Sequence, residues 1–242
     1  RFRTVLSRHV SAPARVALLA ANSYDWVKAF LAIVTLGCTA VALPAHLDAK
    51  TVAGTQKLFG FAAIVTDTPE KAAFCQDCAV INMTETADTP TPAAACKGSD
   101  GCTIIMTGGT TGMPKLVQHN FAYPLGHIVT AKYWQHVEEN RLHMSVSDSG
   151  WAKFGWGKIY GQWICGATIF CYDMVGRFNP ANLLRKVEKY RVTTFCVPPT
   201  MYRFMLQEDL SQFDLSSLHH CATAGEPLNP EVVKKWKKLL KS

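Results

Sequence analysis

The sequence predicts an α/β protein of layered βαβ units, with parallel sheets that carry helices on both faces. Three observations predict it. Short apolar runs alternate with segments whose apolar residues recur at helical spacing, the order that builds parallel sheets through crossover helices. Apolar residues make up 48% of the 242 residues and charged residues 18%, enough to bury a sizeable core. One buried-strand signal, Cys102-Thr103-Ile104-Ile105-Met106, runs directly into a loop of glycines and hydroxyls closed by a lysine.

In chain order, residues 15–20 read as the first strand and residues 24–36, begun near Ser23, as a helix. Residues 39–43 form the next strand. Gly37 divides these two elements, so the uncharged stretch 29–45 is two pieces of core rather than one membrane span. Residues 48–59 form a helix with Asp48 as N-cap, and residues 62–66 a strand. Residues 84–99, rich in threonine, proline and alanine, read as an irregular connector, giving one lobe over 1–99 and a second over 100–242. In the second lobe, residues 116–119 are a short strand and residues 123–133 a helix. Residues 151–165 are glycine-interrupted but mainly helical, and residues 167–172 are a strand. Pro180 opens a helix that runs to Tyr190. The strand over 193–197 is stopped by Pro198-Pro199 and followed by a helix over 201–207. Residues 220–224 form the last strand, and Asn229 caps a final helix that starts at Pro230. There is no internal repeat.

The net charge of +7 is concentrated in the last nine residues, where Lys234, Lys235, Lys237, Lys238 and Lys241 fall together. They read as the solvated face of a helix, complementing the negative end of its dipole. With no second basic cluster, no nucleic-acid partner is expected. The nine cysteines are scattered, and several lie in apolar runs, the pattern of buried free thiols in a reducing, cytoplasmic compartment. Cys75 and Cys78 are the one Cys-x-x-Cys pair, without a second pair or spaced histidines to complete a zinc site. No metal ligands are assigned.

The loop is Thr107-Gly108-Gly109-Thr110-Thr111-Gly112-Met113-Pro114-Lys115. Glycines let backbone N–H groups approach an anion, threonine hydroxyls add donors, and Lys115 brings a mobile positive charge. Pro114 precedes that lysine and Leu116 follows it. No hydroxyl is therefore placed after the lysine to hold magnesium, which excludes the P-loop of nucleoside triphosphatases.

This loop resembles the signature of the adenylate-forming, AMP-binding superfamily, [Ser/Thr]-[Ser/Gly]-Gly-Thr-Thr-Gly-x-Pro-Lys. Gly108 stands where many members have serine. The resemblance extends along the chain. It covers Val16 to Trp26, Gly37 to Pro44, Ala131-Lys132-Tyr133-Trp134, Ser147-Asp148-Ser149-Gly150-Trp151-Ala152-Lys153 and Thr223-Ala224-Gly225-Glu226-Pro227-Leu228-Asn229-Pro230. The last three stretches are similar to the medium-chain branch of AMP-forming acyl-CoA synthetases. The chain then corresponds to part of the large N-terminal domain of such an enzyme.

The resemblance implies a carboxylate–CoA ligase. A carboxylic acid attacks the α-phosphate of ATP, pyrophosphate leaves, and coenzyme A displaces AMP from the acyl-adenylate, with magnesium accompanying the nucleotide. It assigns residues Thr107 to Lys115 to the ATP phosphates, Gly225, Glu226 and Pro227 to adenine, and Trp151, Gly155 and Trp156 to the acyl pocket. Aromatic rings beside Gly150, Gly155 and Gly157 suit an apolar slot, because glycine leaves room for a ligand. Equally, Trp151 and Trp156 could be core residues, Glu226 a helix-start carboxylate, and His119 a structural residue. The family's Tyr-Gly-x-[Ser/Thr]-Glu segment, ribose-binding aspartate and C-terminal domain with its lysine have no counterpart here. The expectation is therefore a fragment that is inactive alone and carries no catalytic residue of its own. The alternatives are a non-catalytic nucleotide- or acyl-binding module and a peptide-synthetase adenylation domain.

Overall fold

A computed structural model describes residues 1–107, 115–174 and 176–239. Among them, ten strands form two sheets, and the chain divides into two units. The first unit comprises residues 1–123 and 148–152, the second residues 124–147 and 153–242.

The first unit holds a six-stranded sheet of β1 (Arg15–Leu19), β2 (Thr39–Leu43), β3 (Ala63–Thr66), β4 (Ala79–Asn82), β5 (Gly101–Thr107) and β6 (Lys115–Asn120). The order is β4-β3-β1-β2-β5-β6. All pairs are parallel except β5 with β6. Val16 to Leu19 are fully buried, as the central strand of a sheet covered on both faces requires. Helices α1 (Phe2–Ser7), α2 (Tyr24–Thr35) and α3 (Ala49–Phe59) complete the unit. Ser23 Oγ caps α2 by accepting from the Trp26 N–H at 3.0 Å, and Asp48 caps α3 through the Thr51 N–H at 2.8 Å. Gly60 ends α3 in the left-handed region at φ 63°.

The boundary between units falls after residue 123 rather than after residue 99, for a physical reason. Strand β5 pairs with β2, Val41 opposite Ile104, so the strand that leads into the glycine-rich loop completes the first sheet. The connector belongs to the same unit. The Thr4 hydroxyl donates to the Thr89 carbonyl at 2.7 Å, and Arg3 Nε to the Thr91 carbonyl at 2.8 Å.

Helix α4 (Ala122–Val129) straddles the boundary and continues as a π-helical turn over Thr130–Trp134. The second unit's sheet contains β7 (Leu142–Ser145), β8 (Thr168–Phe170), β9 (Thr194–Cys196) and β10 (His220–Ala222), in the order β10-β9-β7-β8 and all parallel. The glycine-interrupted segment is helical in three pieces: α5 (Ala152–Phe154), a π-helical turn over Gly155–Ile159, and α6 (Tyr160–Ile164). Then follow α7 (Pro180–Tyr190), α8 (Pro199–Met205) and α9 (Pro230–Leu239). Asn179 caps α7 by accepting from the Asn182 N–H at 2.8 Å, and Asn229 accepts from the Glu231 N–H at 2.9 Å. Leu183, Leu184 and Val187 of α7 pack with Phe195, Tyr202, Met205 and Trp236 as the core. On α9 the lysines from 234 to 238 are exposed while Trp236 is buried, the amphipathic split expected of that segment.

Gly161 permits a close backbone approach in this unit. A Cβ there would overlap the backbone carbonyl of His127 and press on Ala131. Because the obstacle is backbone, it cannot rotate away. Gly161→Ala should lower stability by about 1–3 kcal/mol, the usual cost of overpacking, measured by urea unfolding at pH 7. An unchanged midpoint would show that this contact is not tight in solution.

Candidate active site

Strand polarity decides where the loop sits. Strands β1 to β5 run parallel, so their C-terminal ends share one edge of the first sheet, where open α/β sheets bind ligands. β5 ends there with Thr107, and antiparallel β6 begins there with Lys115, directly opposite Thr107 in the register. The glycine-rich loop is thus the connection of a β-hairpin, with its two ends fixed by pairing. Gly108, Gly109, Thr110, Thr111, Gly112, Met113 and Pro114 lie outside the described residues. Lys115 is exposed. His119, four residues along β6, stacks on Tyr123 with ring centroids 3.7 Å apart, and burial lowers its pKa.

The short segment 148–152 is laid across the same edge. The Ser149 hydroxyl donates to the Ala20 carbonyl just past β1 at 2.6 Å. Gly150 rests on the backbone at Pro44, just past β2, with no room for a Cβ. Trp151 forms a β-bridge with Met106, the residue before Thr107. Three strand ends therefore hold Trp151 beside the loop's first residue. Its side chain remains 45% exposed, so it is not a core residue of the first unit.

In the second unit the chain leaves β10 through Thr223, whose hydroxyl donates to the Val197 carbonyl at 2.8 Å. Gly225 turns it at φ 106°, a conformation that favours glycine. Glu226 is then caught by α8. Thr200 Oγ1 donates to the carboxylate, 2.9 and 2.8 Å from its two oxygens, and Arg203 donates to one of them at 3.1 Å. Arg203 also donates to Thr200 Oγ1 at 2.6 Å. Glu226 is thus held by two side chains of α8 rather than by the helix that follows it in sequence. Pro227 is exposed. Thr200 and Arg203 carry no sequence signal beyond a hydroxyl and a base after Pro198-Pro199.

Trp151 belongs to the first unit, Gly155 and Trp156 to the second. The room beside the glycines is taken. A Cβ on Gly155 would lie 2.6 Å from the Tyr160 ring, and one on Gly157 would lie 3.1 Å from Lys153 Cγ. Gly155 therefore serves close packing against Tyr160. Trp156 is half-buried, with its ring 6.1 Å from His127 and 5.9 Å from Trp134.

Beneath Trp156 lies a polar group that sequence reasoning missed. His143, Gln135 and Gln162 are each at most 1% exposed. His143 Nε2 lies 3.0 Å from the Gly157 carbonyl, and Nδ1 lies 2.8 Å from Thr194 Oγ1. A carbonyl only accepts, so Nε2 carries the proton and Nδ1 accepts from the threonine. Burial pushes the His143 pKa down to about 4, opposed by its bond to Gly157 and assisted by the charges of Lys158 and Lys153.

Elsewhere, His220 donates to the Trp134 carbonyl at 2.9 Å and stacks on His136. A cavity of about 270 Å³ between β10 and α9 is lined by Cys221, Leu228, Val232 and Trp236 and by none of the expected site residues. All nine cysteines are free thiols. Among the described residues no helix is long and apolar enough to cross a membrane.

Residues 2–242 match the family described as "AMP-binding enzyme". This chain belongs to that family. It is 40% identical over 136 residues to the human "Acyl-coenzyme A synthetase ACSM4, mitochondrial", a match covering 56% of this chain and 23% of that protein. It is 43% identical over 142 residues to "4-hydroxybutyrate--CoA ligase 1" of Metallosphaera sedula, covering 58% and 25%. The matched stretch is thus about a quarter of each relative. The fold is that of the anthranilate CoA ligase AuaEII, solved with anthranoyl-AMP, at a TM-score of 0.86 and 23% identity over 99% of this chain and 50% of that one.

His143 makes acid stability a readout of the buried polar group. Its folded pKa is about 4 against 6.5 for an unburied histidine. Between these values the unfolded chain binds a proton that the native state refuses, so stability falls as pH falls from about 6.5 to about 4. The full loss is about 3 kcal/mol at 1.36 kcal/mol per unit. In His143→Gln that part of the slope should vanish in urea unfolding followed from pH 7 to pH 4. Equal slopes in both proteins would mean that His143 is not buried neutral.

Proposed function

We propose that the protein carrying this chain is an AMP-forming acyl-CoA synthetase acting on medium-length or small aromatic carboxylic acids. The observation that carries the reading is the β5–β6 hairpin, which fixes Thr107 and Lys115 opposite each other at the C-terminal edge of a parallel sheet. The names of the relatives, a synthetase and a CoA ligase, point the same way.

On this reading the backbone and hydroxyls of residues 107–114 grip the β- and γ-phosphates of ATP, and Lys115 offsets their charge. Spreading that charge lets the carboxylate approach the α-phosphate in line. Its oxygen bonds to phosphorus as pyrophosphate leaves. The thiolate of coenzyme A then attacks the acyl carbon, and AMP departs with the carboxylate oxygen. Gly225, Glu226 and Pro227 bound the adenine; Thr200 and Arg203 fix the direction of Glu226. Trp151 in the first unit and Trp156 in the second are assigned to the acyl group. Among the described residues no group of three or more His, Cys, Asp or Glu side chains is placed to hold a metal. Magnesium would arrive on the nucleotide phosphates, and no step is assigned to it. We place the protein in a reducing compartment, the cytoplasm, on the strength of its nine free thiols.

Supplied with ATP, coenzyme A and a panel of acids, the full-length protein should release AMP and pyrophosphate in proportion to acyl-CoA. Release of ADP and orthophosphate would overturn the reading. Lys115→Ala should raise the KM for ATP or lower turnover, while stability stays within about 1 kcal/mol, as for other surface changes. An unfolded variant, or one of unaltered kinetics, would remove Lys115 from the phosphate site.

A further inference from the structure

We infer that Gln135, His143 and Gln162 are positioning residues that clamp the π-helical turn Gly155–Ile159 and thereby set acyl selectivity through Trp156. The inference rests on the assignment of Trp156 to the acyl group.

A π-helical turn disturbs the regular ladder of backbone hydrogen bonds, and such turns gather at functional sites. Its carbonyls need other partners when buried. Here side chains supply them. Gln162 Nε2 donates to the Trp156 carbonyl at 2.9 Å. The next carbonyl, that of Gly157, accepts twice, from Gln135 Nε2 at 3.0 Å and from His143 Nε2 at 3.0 Å. Gln162 also donates to Gln135 Oε1, which links the two amides. Three donors thus converge on two successive carbonyls, one of them that of the tryptophan itself.

The clamp is anchored to rigid elements. His143 stands on β7, inside the second sheet, and Thr194 of β9 fixes its ring from the other side. Gln135 closes the first π-helical turn, its N–H donating to the Thr130 carbonyl at 3.0 Å. The Trp134 ring next to it in sequence packs against Trp156. The two π-helical turns are therefore joined by one side chain and one ring contact. Burying three polar side chains costs more than filling the same volume with leucine or methionine unless every bond is made, and Gln162 Oε1 has no partner among the described residues. What the polar set adds is direction: a hydrogen bond fixes where a carbonyl points, and dispersion does not. A small displacement of a substrate-positioning wall changes rates strongly.

The test uses the full-length protein, straight-chain acids from acetate to decanoate, and benzoate. Gln162→Met keeps volume and removes the donor to the Trp156 carbonyl; His143→Phe removes the donor to the Gly157 carbonyl, and His143→Gln restores one. The expected result for Gln162→Met and His143→Phe is a change in the ratio of kcat/KM between long and short acids on the order of tenfold or more. It should be carried mainly by the KM for the acid, with the KM for ATP within about twofold of the parent and partial recovery in His143→Gln. Trp156→Ala separates the two ideas. If it alters the acid ratios while the clamp variants leave them unchanged, the clamp is overturned and the acyl assignment stands. If it too leaves them unchanged, the assignment fails and the inference with it. Should one clamp variant not fold, Gln135→Met tests the same Gly157 carbonyl, and unaltered ratios there overturn the inference.

Discussion

The pairing of β5 is the constraint on which the first unit's site depends. Parallel to β2 and antiparallel to β6, it carries the chain to the C-terminal edge of the sheet and starts it back in register. A nine-residue run of three glycines would explore many conformations if its ends were free. Pairing Thr107 with Lys115 fixes both ends of that run on the sheet.

The same edge organises the neighbouring chemistry. Segment 148–152 departs from the second unit to be tied across the ends of β1, β2 and β5, by a hydroxyl at Ser149, a close backbone approach at Gly150 and a bridge at Trp151. In the second unit, the ends of β9 and β10 do the corresponding work for Glu226, with Thr200 and Arg203 as its donors. Trp151 and Glu226 are thus each held by strand ends or a helix start, as a preorganised site requires.

Much of the fold was legible because its signals are local. The limits of β2 and α7 follow from Gly37 and from Pro180, and Asp48 and Asn229 cap as their side chains allow. Strand β7 was illegible, although it lies inside the second sheet. It is four residues long and carries His143, whose polarity is satisfied only by Thr194 and Gly157, distant in sequence. Edge strand β4 and helix α1 are too short for a periodic signal. The site divides in the same way. The glycine-rich loop announces itself by composition. The partners of Glu226 and the polar group under Trp156 do not, since both are made by tertiary contacts. The glycines at 150, 155 and 157 read in the sequence as leaving room for a ligand, and sequence could not say that protein atoms lie against them.

The central claim, that a carboxylate attacks the α-phosphate of ATP at the edge where the β5–β6 hairpin turns, is tested most directly by following oxygen. An acid labelled with ¹⁸O in both carboxylate positions would be turned over by the full-length protein with ATP and coenzyme A, and the products analysed by mass spectrometry. The account predicts one ¹⁸O in AMP for each acyl-CoA formed and none in pyrophosphate. Label in orthophosphate or pyrophosphate with unlabelled AMP would place the attack at another phosphorus and contradict it.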